Sequence, residues 1–436
     1  NMKKPELKNI NKMAYPILLN YLLTSVFEIL DKAVVGHYSV RGFAVVGIAE
    51  APVYEITGAL GILSAAFHMI AAELQGKKDQ EAFEDAFDMS RKISLAVGCS
   101  FFLLSLAGGR FFFQRVYKVE GEALEELLSY FYPAAFTVLQ NMLLFLYSAY
   151  YRNRLNTRIS FYSTAAAAIV NLFFDASLVY GLFGFPRLGT AGAAWGSVIG
   201  LFAGLLVYQV PYCKYKKKRT VSRAEKKKIL KKFAALYPSL AGQEFLENTL
   251  FSLIVSGVVA RMGTRQMAVY SLLATVGNTV ELPIYAYATA AQTYALQKKA
   301  AGGMDQAQRY LTVGRNFTSG VIIGLSLLCF AFRTQVFGLI LSDKSVMDCA
   351  GQLLVWILIL AFSKVAYQFY LGYLQGTGKE KYILACALVS TVLTSVAVTV
   401  SGELFALPGV YLVMIGKYFI FSLIFIRKIR SLSDHL

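Results

Sequence analysis

The stretch CKYKKKRTVSRAEKKKILKKF, residues 213–233, is the most basic segment of the chain and lies at its midpoint. Such a run serves as a lipid-headgroup or nucleic-acid contact, or as a linker whose long side chains snorkel at the inner face of a bilayer. Its flanks decide between these. Six long apolar runs precede it, at about 13–36, 43–72, 93–114, 127–151, 159–183 and 189–212. Six follow it, at about 233–260, 266–295, 314–341, 347–374, 382–402 and 406–427. A hydrocarbon core needs roughly 20 apolar residues per helix. Each run meets that length, so the expected fold class is all-α integral membrane. Twelve transmembrane helices form two pseudo-symmetric six-helix bundles around a central cavity. The expected domains are 1–212, a 213–233 cytoplasmic linker, and 234–436.

Composition agrees: 56% of the 436 residues are hydrophobic, 16% are charged, and the mean hydropathy is +0.52. That is too apolar for a soluble globular protein. The net charge of +17 lies in short clusters between apolar runs, which argues against nucleic acid as a partner. Transmembrane β-strands are excluded, because the runs are continuous rather than alternating. With loops numbered alternately, the side holding both termini carries 31 of the 43 Lys and Arg. The positive-inside rule then places both termini in the cytoplasm, as expected of a multi-pass protein of a bacterial inner membrane. Five scattered cysteines and three histidines offer no metal site, and no cofactor is expected. The first apolar run lacks a small-residue cleavage site and reads as a retained helix rather than a signal peptide.

The two halves are related. AYPILLNYLL (14–23) resembles LYPSLAGQEFL (236–246), YRNRLNTRISF (151–161) resembles LQGTGKEKYIL (374–384), and FPRLGTAGAAW (185–195) is echoed by FALPGVYLVMI (405–415). The nearly constant offset indicates an internal duplication with an axis along the membrane normal.

Ionisable residues at membrane depth are costly and mark candidate sites. FEILDKAVVG (27–36) places Glu28 and Lys32 one helical turn apart, suited to neutralising each other, and leaves Asp31 to find another partner. NLFFD (171–175) puts Asn171 and Asp175 on one helix face. Two carboxylates close together in a low-dielectric bundle resist double ionisation, which is the property a proton-coupled site needs. The second half contributes Glu244 and Glu247, Glu281 and Lys364. These either neutralise one another or line a cavity and set its charge preference. Glu50 is expected near the outer end of the second run, and Glu55 carries no clear reading.

These features together resemble the multidrug and toxic compound extrusion (MATE) transporters, of the multidrug/oligosaccharidyl-lipid/polysaccharide flippase superfamily. The resemblance rests on the two related six-helix halves, the helix ending ILDKAVVGHY, NLFFDASLVYGLFGFPRLGTAGAAWGSVIG (171–200) and LQGTGKEKY (374–382). It implies a monomeric, cation-driven antiporter exporting small amphipathic organic compounds, with no catalytic chemistry. It further implies a proton-coupling cluster at Asp31, Asn171, Asp175 and Ser197, with Na+ as the alternative ion. Glu28, Lys32, Glu247, Glu281 and Lys364 are the implied substrate-cavity candidates. Three positions depart from the family pattern. Lys364 stands where sodium-using relatives carry an acid, Lys32 follows Asp31, and Leu155-Asn156 replace a usual Gly-Asp. The added lysines keep zwitterionic or anionic substrates, and a lipid-linked-precursor flippase, in view. A membrane enzyme would need a His/Asp or Cys/His constellation near one face, and the sequence shows none.

Overall fold

The computed structural model describes residues 5–115, 119–215, 223–262, 264–340 and 344–433. Among these there is no strand, and each apolar run is occupied by helix. In the first half these are α1 (Pro5–Tyr38), α2 (Val40–Gly76), α3 (Gln80–Arg115), α4 (Gly121–Asn153), α5 (Arg158–Tyr180) and α6 (Thr190–Tyr215). In the second half, α7 (Arg223–Glu244), a π-helical turn at Phe245–Leu250 and α8 (Phe251–Arg261) fill the seventh run. They are followed by α9 (Thr264–Ala300), α10 (Met304–Ala331), the short α11 (Arg333–Ile340), α12 (Lys344–Leu374) and α13 (Glu380–Ser433). The backbone of α13 breaks at Ala406 (φ 52°, ψ −141°), which separates the eleventh and twelfth runs. Among the described residues, seven helical segments are long and apolar enough to cross a membrane, the last being Lys344–Ser431.

The chain divides into two compact units, Tyr15–Tyr237 and Pro238–Leu436, the latter joined by Asn1–Ala14. Each division falls at a Tyr-Pro step, Tyr15-Pro16 inside α1 and Tyr237-Pro238 inside α7. Proline removes one helical hydrogen bond and crowds the preceding turn, so it is a natural place for a helix to change direction. Asn9 Nδ2 donates to the Tyr310 hydroxyl at 2.9 Å, and Ile10 is fully buried near Gly314, which ties the start of α1 to the second unit.

The first unit is held by one apolar cluster that draws on all six of its helices. Val35, Ala49, Phe113, Leu127, Phe131, Ala135, Val179 and Ala194 are among its buried members. Ser39 caps α2 by accepting from the Gly42 amide at 3.0 Å, and Gly181 closes α5 in the left-handed conformation. The closest helix pair is α5 with α6. Gly192, Gly196, Gly200 and Gly204 form a four-residue repeat along α6, and a Cβ at any of them would meet α5 atoms within 3.1 Å. Small residues at this spacing let two helices in a membrane approach to backbone contact.

The duplicated turns also correspond. Leu155 (φ 59°) after α4 and Gly378 (φ 80°) after α12 are both left-handed. Glycine adopts that backbone freely and leucine does not.

Candidate functional site

The close α5–α6 packing builds a polar site in the first unit. Asp175 is completely buried, and Asn171, one turn earlier on α5, donates its amide to Asp175 Oδ2 at 2.8 Å. The same amide lies 3.3 Å from Ser197 Oγ on α6. Asp31, from α1, meets Asp175 side chain to side chain. A Cβ on Gly196 would fall 1.9 Å from Asp175 Oδ1, so the carboxyl group occupies space that only glycine leaves open. The Tyr180 hydroxyl donates to the Val34 carbonyl at 2.9 Å, and Tyr38 packs edge-on to Tyr180, fixing the register of α1 against α5. The four residues expected to couple a cation are therefore brought together.

Two further residues join them. Tyr130 on α4 is within electrostatic reach of both Asp31 and Asp175. Its hydroxyl donates to Glu50 Oε1 at 2.8 Å. The sequence places Glu50 only near the outer end of its run, because nothing local shows that a tyrosine 80 positions later turns toward it. The side chains of Glu28 and Lys32, and so their expected pairing, lie outside the described residues.

In the second unit Glu281 and Lys364 meet each other. Lys364 Nζ donates to Glu281 Oε1 at 2.7 Å and to Oε2 at 2.9 Å, and the Tyr285 hydroxyl donates to Oε2 at 3.1 Å. Lys364 also lies 5.4 Å from the Tyr418 ring centroid. The Glu281 side chain is 3% exposed, so the ammonium replaces the water it has lost. Glu247 sits on the π-helical turn, where it accepts from Gln243 Nε2 at 2.5 Å and from the Tyr367 hydroxyl. Gln375 donates in turn to Gln243. Such turns occur often at functional sites. Lys417 is 3% exposed, with Nζ 4.0 Å from the Phe251 ring centroid, and no hydrogen-bond partner for Nζ is present among the described residues. Its position inside an apolar run was the only sequence signal for it. Among the described residues no group of three or more His, Cys, Asp or Glu is arranged to hold a metal ion.

The family model described as MatE matches residues 16–176 and 241–400, and the chain belongs to that family of membrane transporters. The two matched segments correspond to the duplicated halves. Among curated relatives, the probable multidrug resistance protein YoeA of Bacillus subtilis is 25% identical over 364 residues, covering 80% of this chain and 76% of its own. The probable multidrug resistance protein NorM of Geobacillus kaustophilus is 23% identical, covering 86% and 83%. Among solved structures, the Vibrio cholerae MATE transporter VcmN in its bent form superimposes with a TM-score of 0.86 at 16% identity, covering 98% of each chain. A MOP superfamily transporter from Pyrococcus furiosus, described as having a binding pocket of reversed polarity, gives 0.84 at 15% identity, covering 98% of this chain and 95% of its own. The fold is thus that of the MATE transporters, twelve helices in two bundles.

Proposed function

We propose that the chain is a secondary active exporter of amphipathic organic compounds, driven by inward proton movement through alternating access. The observation that carries this reading is the buried meeting of Asp31 and Asp175 beside Asn171, Ser197, Tyr130 and Glu50. Two carboxyl groups in contact at membrane depth accommodate a proton between them far more readily than two negative charges. Asn171 fixes one oxygen of Asp175, so a proton gained or lost there alters how closely α1 and α5 can pack. Protonation from outside shifts these helices and releases substrate outward, and loss of the proton to the cytoplasm resets the cycle. The names of the curated relatives, probable multidrug resistance proteins, support drug-like substrates.

Sodium coupling through the second unit is the weaker alternative. Lys364 stands where sodium-using relatives carry an acid, and its ammonium, paired with Glu281, cannot ligate sodium. The same pairing removes Lys364 as a source of net positive field.

A panel of lipophilic dyes assayed in proteoliposomes, with pH and sodium gradients varied independently, tests the reading. Efflux driven by the pH gradient alone is expected. Efflux that follows only the sodium gradient would overturn it. We also assign both termini to the cytoplasmic side, on the distribution of Lys and Arg. A cysteine-accessibility assay at residues added near the C-terminus checks this, with labelling expected only in inverted vesicles.

A further inference from the structure

A cleft of about 310 Å³ opens within the second unit between α10, α12 and α13, lined by Gln308, Leu311, Thr312, Arg315, Tyr370, Ile426, Ile429 and Arg430. We propose that it is a binding site for the phosphate headgroup of an anionic phospholipid. This goes beyond the transport reading and does not depend on the coupling ion.

Arg315 Nη1 donates to the Tyr370 hydroxyl at 2.6 Å, and its Nε and Nη2 donate to Asn316 Oδ1 at 3.1 and 2.8 Å. These contacts fix the guanidinium plane without neutralising it. Neither Arg315 nor Arg430 has a carboxylate within ion-pair distance among the described residues. A guanidinium has five N–H donors, so Arg315 keeps two for a ligand, in the forked geometry that suits phosphate. Arg309 lines an adjoining cleft with Gln308, Thr312, Val313 and Asp305.

Arg315, Tyr370 and Arg430 each lie within four residues of the end of an apolar run, those of 314–341, 347–374 and 406–427. All three run ends face the side that carries both termini, which puts the cleft at the headgroup level of that leaflet. Leu311, Ile426 and Ile429 form an apolar wall beside the two arginines. A free phosphate has no use for such a wall, whereas the glycerol backbone and first acyl carbons of a lipid would bury against it. Basic pockets between helices on this side of a membrane hold anionic headgroups by the same chemistry.

The test uses the full-length protein in an uncharged detergent, titrated with phosphatidylglycerol, phosphatidylcholine or inorganic phosphate. Bound lipid is counted by native mass spectrometry, and the unfolding midpoint is followed in parallel. Phosphatidylglycerol should bind and raise the midpoint, while phosphatidylcholine and inorganic phosphate at the same concentration should not. The R315Q/R430Q variant should bind phosphatidylglycerol about tenfold more weakly, the loss expected when charge-assisted hydrogen bonds are removed. R430Q alone, at an exposed position, provides the same comparison should the double variant fold poorly, with a smaller loss expected. Unchanged phosphatidylglycerol affinity in R315Q/R430Q and R430Q would overturn the proposal, as would equal binding of phosphatidylcholine or equal stabilisation by inorganic phosphate.

Discussion

At the scale of single residues, the structure assigns partners to charges that are expensive wherever they are left alone. Lys364 and Glu281 form a bidentate pair with Tyr285 as a third member. Removing one member of such a pair strands the other in a dry interior, at a cost of about 3–5 kcal/mol. Lys364→Ala should therefore lower the thermal midpoint of the detergent-solubilised protein sharply. The double substitution Glu281→Leu with Lys364→Met should recover most of the loss, and a double variant as unstable as Lys364→Ala would show that the pair is not the cause. The presence of these groups was legible in the sequence, because each acid or lysine interrupts an apolar run. Which of them met was not, since Glu281 and Lys364 are 83 positions apart and helix rotation decides the encounter. The same limit hid the Tyr130–Glu50 bond. It did not hide Asn171 and Asp175, which share one helix and are fixed by its period.

At the scale of elements, the glycine repeat of α6 is what lets α5 carry a buried carboxylate so close to its neighbour. Gly196→Ala would force a methyl group into the space of Asp175 Oδ1. Overpacking of this kind costs about 1–3 kcal/mol, and here it also displaces the coupling residue. Transport should fall by more than the loss of folded protein explains, as measured by rate per folded transporter. A rate per folded transporter equal to that of the wild type would remove the repeat from the account of the site. The spacing G-x-x-x-G-x-x-x-G-x-x-x-G stands openly at 192–204, yet period alone does not say which helix lies against it. A second element-scale prediction concerns the turn after α4. Leu155 holds a left-handed backbone that costs a side-chain-bearing residue about 1–2 kcal/mol. Leu155→Gly should raise the unfolding midpoint, partly offset by the greater freedom of glycine in the unfolded chain. A lowered midpoint would mean that packing by the Leu155 side chain outweighs its backbone strain. The corresponding second-half turn already has Gly378 at its left-handed position, in line with the duplication read from the sequence.

At the scale of the whole molecule, the twelve runs and the duplication were legible because hydrophobic length and repeated motifs are properties of the chain itself. The division at two Tyr-Pro steps was less so. The sequence marks the repeat but gives no sign that the first residues of α1 pack with the second unit. Proton-driven export, as proposed, requires that the Asp31/Asp175 cluster carry the proton. Acidifying the outside should accelerate efflux while the cluster can still release its proton inward, and acidifying both sides should slow it. The most direct measurement is dye efflux from proteoliposomes under an imposed pH gradient, comparing the wild type with Asp31→Asn and Asp175→Asn at matched amounts of folded protein. Each variant keeps the size of the side chain but removes one of the two carboxyl groups that share the proton, so the pH-driven component should fall to the level of protein-free vesicles. Gradient-driven efflux at the wild-type rate in both variants would contradict the account.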